Sequence, residues 1–174
     1  MPRVSLLTVV NYLESLAEKH IDIKDSYRWN VSEVTGALRK GVALPVQLID
    51  AVETQTSGDN TKTNHTNTTA FTILGKPNTK TGNLDEYDAQ NKVLDFCQQI
   101  CFDIETRILY DASLPKINGV KNWLYGMVDK NSFHHFKVGP LFSDGLYGYR
   151  CEVSLKNQVC TTPDASKWTD FQIH

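Results

Sequence analysis

The chain has 174 residues, a formal charge of −2, an apolar fraction of 40% and a charged fraction of 22%, which suits one domain with a core of its own. So small and slightly negative a charge excludes a general nucleic-acid or anionic-membrane binder, because both need a basic field. The run Met1–Val10 is followed by Asn11, Glu14 and Glu18 without a small-residue cleavage site, so it is not expected to act as a secretory signal. No segment approaches the length of a membrane span, and a cytosolic chain is expected, in which the sequons at Asn30 and Asn64 carry no glycan.

Ser5 to Lys19 predicts an amphipathic helix, with Leu6, Val9, Val10, Leu13, Leu16 and Ala17 on one stripe. Ile21 to Trp29 alternates as a short strand does. Val31 to Lys40 is ambiguous, with Gly36 and Gly41 marking bends. Val42 to Glu53 predicts a longer strand whose alternation slips at Ile49, as a bulge would make it do. Pro45 cannot donate to a ladder, so that strand is expected to lie at an edge or to pair on one side there. Residues Thr54 to Asn67 contain almost nothing that can be buried, and predict a flexible polar tip of a long hairpin. The hairpin's second strand is expected over Thr68–Leu74.

After a turn-rich connector, Asp85 to Asp111 predicts the longest helix. Acidic residues occupy its first turns, where they suit the positive end of the dipole, and Leu94, Cys97, Ile100, Cys101, Ile104 and Ile108 form its apolar face. Trp123 to Val138 reads as extended or mixed structure, Ser143-Asp144-Gly145 as a turn, and Tyr147 to Leu155 as a strand closed by Asn157. From Gln158 to His174 the sequence is a polar, extended tail with isolated Trp168 and Phe171. The four cysteines, Cys97, Cys101, Cys151 and Cys160, are expected to be reduced and largely buried. Cys97 and Cys101 share a helix face where a disulfide would strain the helix, and a zinc site there would need two more ligands.

Chemistry-bearing motifs are missing. The glycines do not link a strand to a helix as a phosphate loop requires, and no Gly-x-Ser-x-Gly occurs. His134 and His135 are adjacent, so on a strand they point to opposite faces. A Cys151–His135 dyad is conceivable on neighbouring strands, though nothing in the sequence brings the two together. Phe71, Phe133, Phe136, Tyr147 and Tyr149 could stack bases, but the basic groove that would accompany them is lacking. No cofactor or metal is expected.

The order of elements over Ser5–Lys19, Val42–Leu74, Asp85–Asp111 and Phe133–Asn157 resembles the tail-terminator and head–tail joining proteins of tailed bacteriophages. The phrase Phe136 to Arg150 looks like the closing hairpin of such neck proteins in phages of Bacteroides-type hosts. The resemblance implies a small α+β domain, an antiparallel sheet with a long hairpin packed on an N-terminal helix and one long central helix. It also implies assembly into a homo-oligomeric ring in the virion, built in the host cytoplasm beside neck, portal or tail-tube proteins. Exposed strand edges and an arm that orders on a neighbour fit that reading. The expected assembly residues are Pro45 and, in the arm, Ser57, Asp59, Asn60, Thr61, Thr63, Asn64, Thr66 and Asn67. The alternative is a cytosolic ligand-binding or enzymatic α+β domain with its pocket under the long helix.

Overall fold

The computed structural model describes residues 4–28, 41–59, 62–78, 86–142 and 145–169. Helix α1 (Leu6–Lys19) opens on Ser5, whose hydroxyl accepts the Thr8 amide at 3.2 Å, and buries Val9, Val10, Leu13, Leu16 and Ala17. Helix α2 (Glu86–Ser113) buries the expected stripe from Leu94 to Ile108 and extends it to Ala89 and Asp111. The strands are β1 (Asp25–Arg28), β2 (Val46–Ile49), β3 (Glu53–Gly58), β4 (Thr63–Gly75), β5 (Lys116–Ile117), β6 (Val120–Lys121), β7 (His134–Leu141) and β8 (Leu146–Val159). The fold is α+β, as expected.

The main sheet runs β1-β2-β4-β8-β7, with β3 also paired to β4, while β5 and β6 form a separate two-stranded ribbon. Every pairing is antiparallel except β1 with β2. Both helices contribute to one cluster on one face of the sheet, around Ile49, Phe71, Ile73, Cys151 and Val153. The opposite face carries a smaller cluster of Val46, Leu48, Leu74 and Leu146 under Val138, Leu141 and Phe142. Gly148 sits in that second face, and a Cβ there would collide with the Ile73 carbonyl, so only glycine lets β8 lie this close to β4.

Five expectations need correction. Val42–Glu53 is not one strand: residues 42–45 lie outside the ladder, and β2 and β3 are separate pieces along the same side of β4. Between them Ile49 faces Phe71 while Glu53 faces Thr68, so the β2–β3 side holds one extra residue. The extra residue falls within 50–52 and not at Ile49, which keeps regular register; the apolar run slips there because β2 is covered on both faces. Pro45 is not on an edge strand. It precedes β2, its carbonyl accepts the Lys24 amide at 2.9 Å, and β2 lies between β1 and β4, so the missing N–H costs no ladder bond.

The Thr54–Asn67 segment is not a loop tip. Its residues are the strands β3 and β4, closed by a turn in which the Asp59 amide donates to the Lys62 carbonyl at 2.9 Å. Backbone pairing to β8 over Thr63–Thr66 supplies what the side chains cannot. Finally, β8 continues past Asn157 to Val159, and Cys160 is exposed, unlike the other three cysteines. It follows Val159, the last ladder residue. The region 31–40 falls outside the described residues, as does Phe171.

Candidate functional site

The distal part of the sheet is a three-stranded ribbon: β3, the first half of β4 and the last third of β8. In register across it lie Gln55, Thr66 and Lys156, then Thr56, His65 and Asn157, then Ser57, Asn64 and Gln158. All six residues of β3 are exposed. With Asp59 and Lys62 bonded at the turn, ladder bonds alternate down β3. Ser57, Gln55 and Glu53 therefore bond towards β4, while the amides and carbonyls of Thr56 and Thr54 point outward. Among the described residues no strand pairs with that outer side.

The expected assembly residues divide sharply. Ser57 and Asp59 lie on the open side, Ser57 exposed on β3 and Asp59 closing the turn, where its carboxylate accepts the Lys62 amide at 2.9 Å. Thr63, Asn64 and Thr66 belong to β4, which is paired on both sides. Asn67 is buried, accepts the Thr54 hydroxyl at 2.7 Å and donates to Asn157 at 3.4 Å. It therefore anchors the ribbon internally. Asn60 and Thr61 lie outside the described residues, and Pro45 is remote from the ribbon's open edge, beside β1. The signal for that edge was a run of Thr, Ser and Gln with strand potential but no apolar face.

A second cluster sits under α2. β7 and β8 pair His135 with Cys151, and the imidazole Nε2 lies 3.6 Å from Cys151 Sγ and 2.7 Å from Glu105 Oε2 of α2. The Phe102 ring stacks at a tilt on the imidazole, with centroids 4.9 Å apart. One ring nitrogen thus faces both acid and thiol, whereas a relay needs one nitrogen for each. The other, Nδ1, is buried and makes no hydrogen bond. Burial pushes the Cys151 thiol up to about 12, and the nearby Glu105 and Glu152 carboxylates push the same way. Burial likewise raises Cys97 to about 12, and it raises Cys101. These thiols are held protonated, the opposite of an activated nucleophile. Among the described residues no group of three or more His, Cys, Asp or Glu can hold a metal ion.

No protein-family model matches the chain, and no curated protein matches it.

On the face opposite the helices, Arg150 of β8 donates to Asp50 at the bulge and to Glu152 two residues along its own strand. Its side chain spans β4 and ties β8 to the irregular junction between β2 and β3. The Thr68 and Ser154 hydroxyls, 3.0 Å apart, continue this polar face towards the ribbon. Its residues bridge strands instead of converging on a cavity, so its chemistry is cohesive. Among the described residues, no helix is long and apolar enough to cross a membrane.

Proposed function

We propose that this chain is a structural subunit that joins copies of itself by strand addition at β3. Its resemblance to tail-terminator and head–tail joining proteins then assigns it to the neck or tail of a tailed-phage virion, next to portal, neck or tail-tube proteins. One observation carries the reading. β3 is an exposed edge along its whole length, yet it holds no proline, no lysine and no arginine, and its single charge, Glu53, sits at the root. Monomeric proteins block such edges with those residues, because unpaired amides and carbonyls template further pairing. A ring repeats one head-to-tail contact, so an edge left open is what such a contact uses.

The test is Thr56→Pro. Thr56 directs its amide outward, so the ring removes an outward donor and leaves the bonds to β4 in place. The wild-type chain is expected to sediment as a closed oligomer and to be found in purified virions. The variant is expected to sediment as a monomer with an unchanged denaturation midpoint. A wild-type chain that stays monomeric at every concentration and is absent from virions would sink the proposal.

A further inference from the structure

Among the described residues, β1, β3 and β7 each have a side that no strand of the main sheet pairs with. Two of the three carry the features that keep an edge unpaired. β1 is only four residues long, with Asp25 and Arg28 at its ends. β7 holds Lys137 and Pro140, and its register shifts between Val138 and Leu141. β3 has no charge and no proline from Thr54 to Gly58. The edge most like it that this chain offers is therefore β3 of a second copy.

β3 is also complementary to itself. Thr54 and Thr56 direct their amides and carbonyls outward. An antiparallel copy can exchange two hydrogen bonds between Thr54 and the partner's Thr56, and two more between Thr56 and the partner's Thr54. The two-fold axis then passes at Gln55, which faces the partner's Gln55 in a non-hydrogen-bonded pair, with Cα atoms about 4.5 Å apart. Threonine meets threonine, amide meets amide, and Glu53 meets the partner's Ser57. The two Glu53 carboxylates lie at opposite ends of the pairing, about 14 Å apart along the strands. A slip of two residues towards the turn would set Glu53 against the partner's Asp59, like charges directly opposite. A slip of two the other way leaves Thr54 as the only outward residue paired within β3. Charge and bonding select one register.

We propose that β3 pairs with β3 of a second copy, antiparallel about a two-fold axis at Gln55, an inference that rests on the self-assembly reading above and fixes its partner strand. The two molecules then share one continuous sheet, which runs through β8, β4 and β3 into the partner's β3, β4 and β8. Such a contact is isologous, so strand addition at β3 closes at two copies. The head-to-tail steps of a larger ring join these pairs through another surface.

Cysteine cross-linking of the full-length chain tests it. Gln55 and Ser57 are both exposed on β3, so Gln55→Cys and Ser57→Cys should each leave circular dichroism native. Each is combined with Cys160→Ser, and the three remaining thiols are buried. Two-fold pairing sets position 55 beside its own counterpart, at a Cα separation that a disulfide accepts, and holds the two copies of position 57 about 14 Å apart. Under air oxidation Gln55→Cys is expected to form disulfide-linked dimers at least about tenfold faster than Ser57→Cys. By mass, wild-type assemblies are expected to contain an even number of chains. Equal cross-linking rates, or a closed assembly with an odd number of chains, would overturn the two-fold pairing. If that happens while Thr56→Pro still abolishes assembly, strand addition at β3 stands with a different partner strand. If Thr56→Pro also assembles normally, the edge reading falls with it.

Discussion

β4 and β8 each run through two unlike environments. At its Gly75 end β4 is buried on both faces, under helices on one side and by the cluster with Leu141 and Phe142 on the other, with β8 at least half-buried beside it. At the Thr63 end the same ladder continues through Thr, Asn, His and Gln with β3 exposed beside it. The contrast shows that a strand need not be locally hydrophobic to be a strand. Register is set where burial is strong, and backbone pairing carries it outward at low cost once the first pairs are fixed.

The sharpest way to break the comparison is to compare a core truncation with a ribbon truncation. Phe71→Ala removes a fully buried ring and should cost about 3–5 kcal/mol of stability. Thr66→Ala, five residues before Phe71 on the same strand, should cost less than about 0.5 kcal/mol. Urea denaturation of the two variants measures both. Equal costs would mean that the two halves are one cooperative core.

Alkaline pH should act on the core half alone. Unfolded thiols ionise near 9, whereas Cys97 and Cys151 in the fold hold their protons to about 12. Their folded values are raised, so their stabilising contribution is complete below pH 9 and is lost as pH rises towards 12. Each such thiol should remove up to about 1.4 kcal/mol per pH unit across that window. Tyr12 adds to the loss above 10. Burial, then its hydrogen bond to Asp111, raises its hydroxyl well beyond the ordinary range. Denaturation midpoints at pH 8 and 10 should separate clearly for wild type and less for Cys97→Ser. At neutral pH one thiol, Cys160, should react rapidly in the native chain, and all four after unfolding.

Smaller effects sharpen the junction between the halves. Arg150→Ala leaves Asp50 at the bulge without its guanidinium and should cost about 1–3 kcal/mol. Tyr12→Phe removes a 2.9 Å hydrogen bond between α1 and α2 and should cost about 1 kcal/mol. Thermal melts of the two, set beside Thr66→Ala, order the sheet from core to edge.

The sequence announced those parts where side chains alone decide structure. The stripes of α1 and α2 and the alternation of β8 are periodicities with burial behind them, whereas the slip at Ile49 marks a strand buried on both faces, with the extra residue just beyond it. What stayed hidden depends on partners distant in sequence. Thr54–Asn67 reads as a loop until β8 is known to lie beside it. Pro45 reads as an edge residue until β1 is known to pair in parallel on the far side of β2. The Cys151–His135 pair was hidden more deeply. Extended from Leu141 opposite Leu146, an unbroken hairpin would set His135 against Glu152, and the register shift between Val138 and Leu141 moves it to Cys151. That shift contains Gly139 at φ 113°, a signal visible only as a glycine in a strand. Of the expected assembly residues among those described, Ser57 and Asp59 are the exposed ones, because exposure there follows from composition.

The uninterrupted pairing of β4 with β8 also gives the molecule a mechanical grain. Thirteen residue pairs lie in register between these two strands. A pull along the ribbon would load those ladder bonds together in shear, whereas a pull across it would open them one after another. If copies join by strand addition at β3, a neighbour displaced along the strand axis would load the ladder in its strong direction, and one drawn sideways from the edge would meet only the weak one.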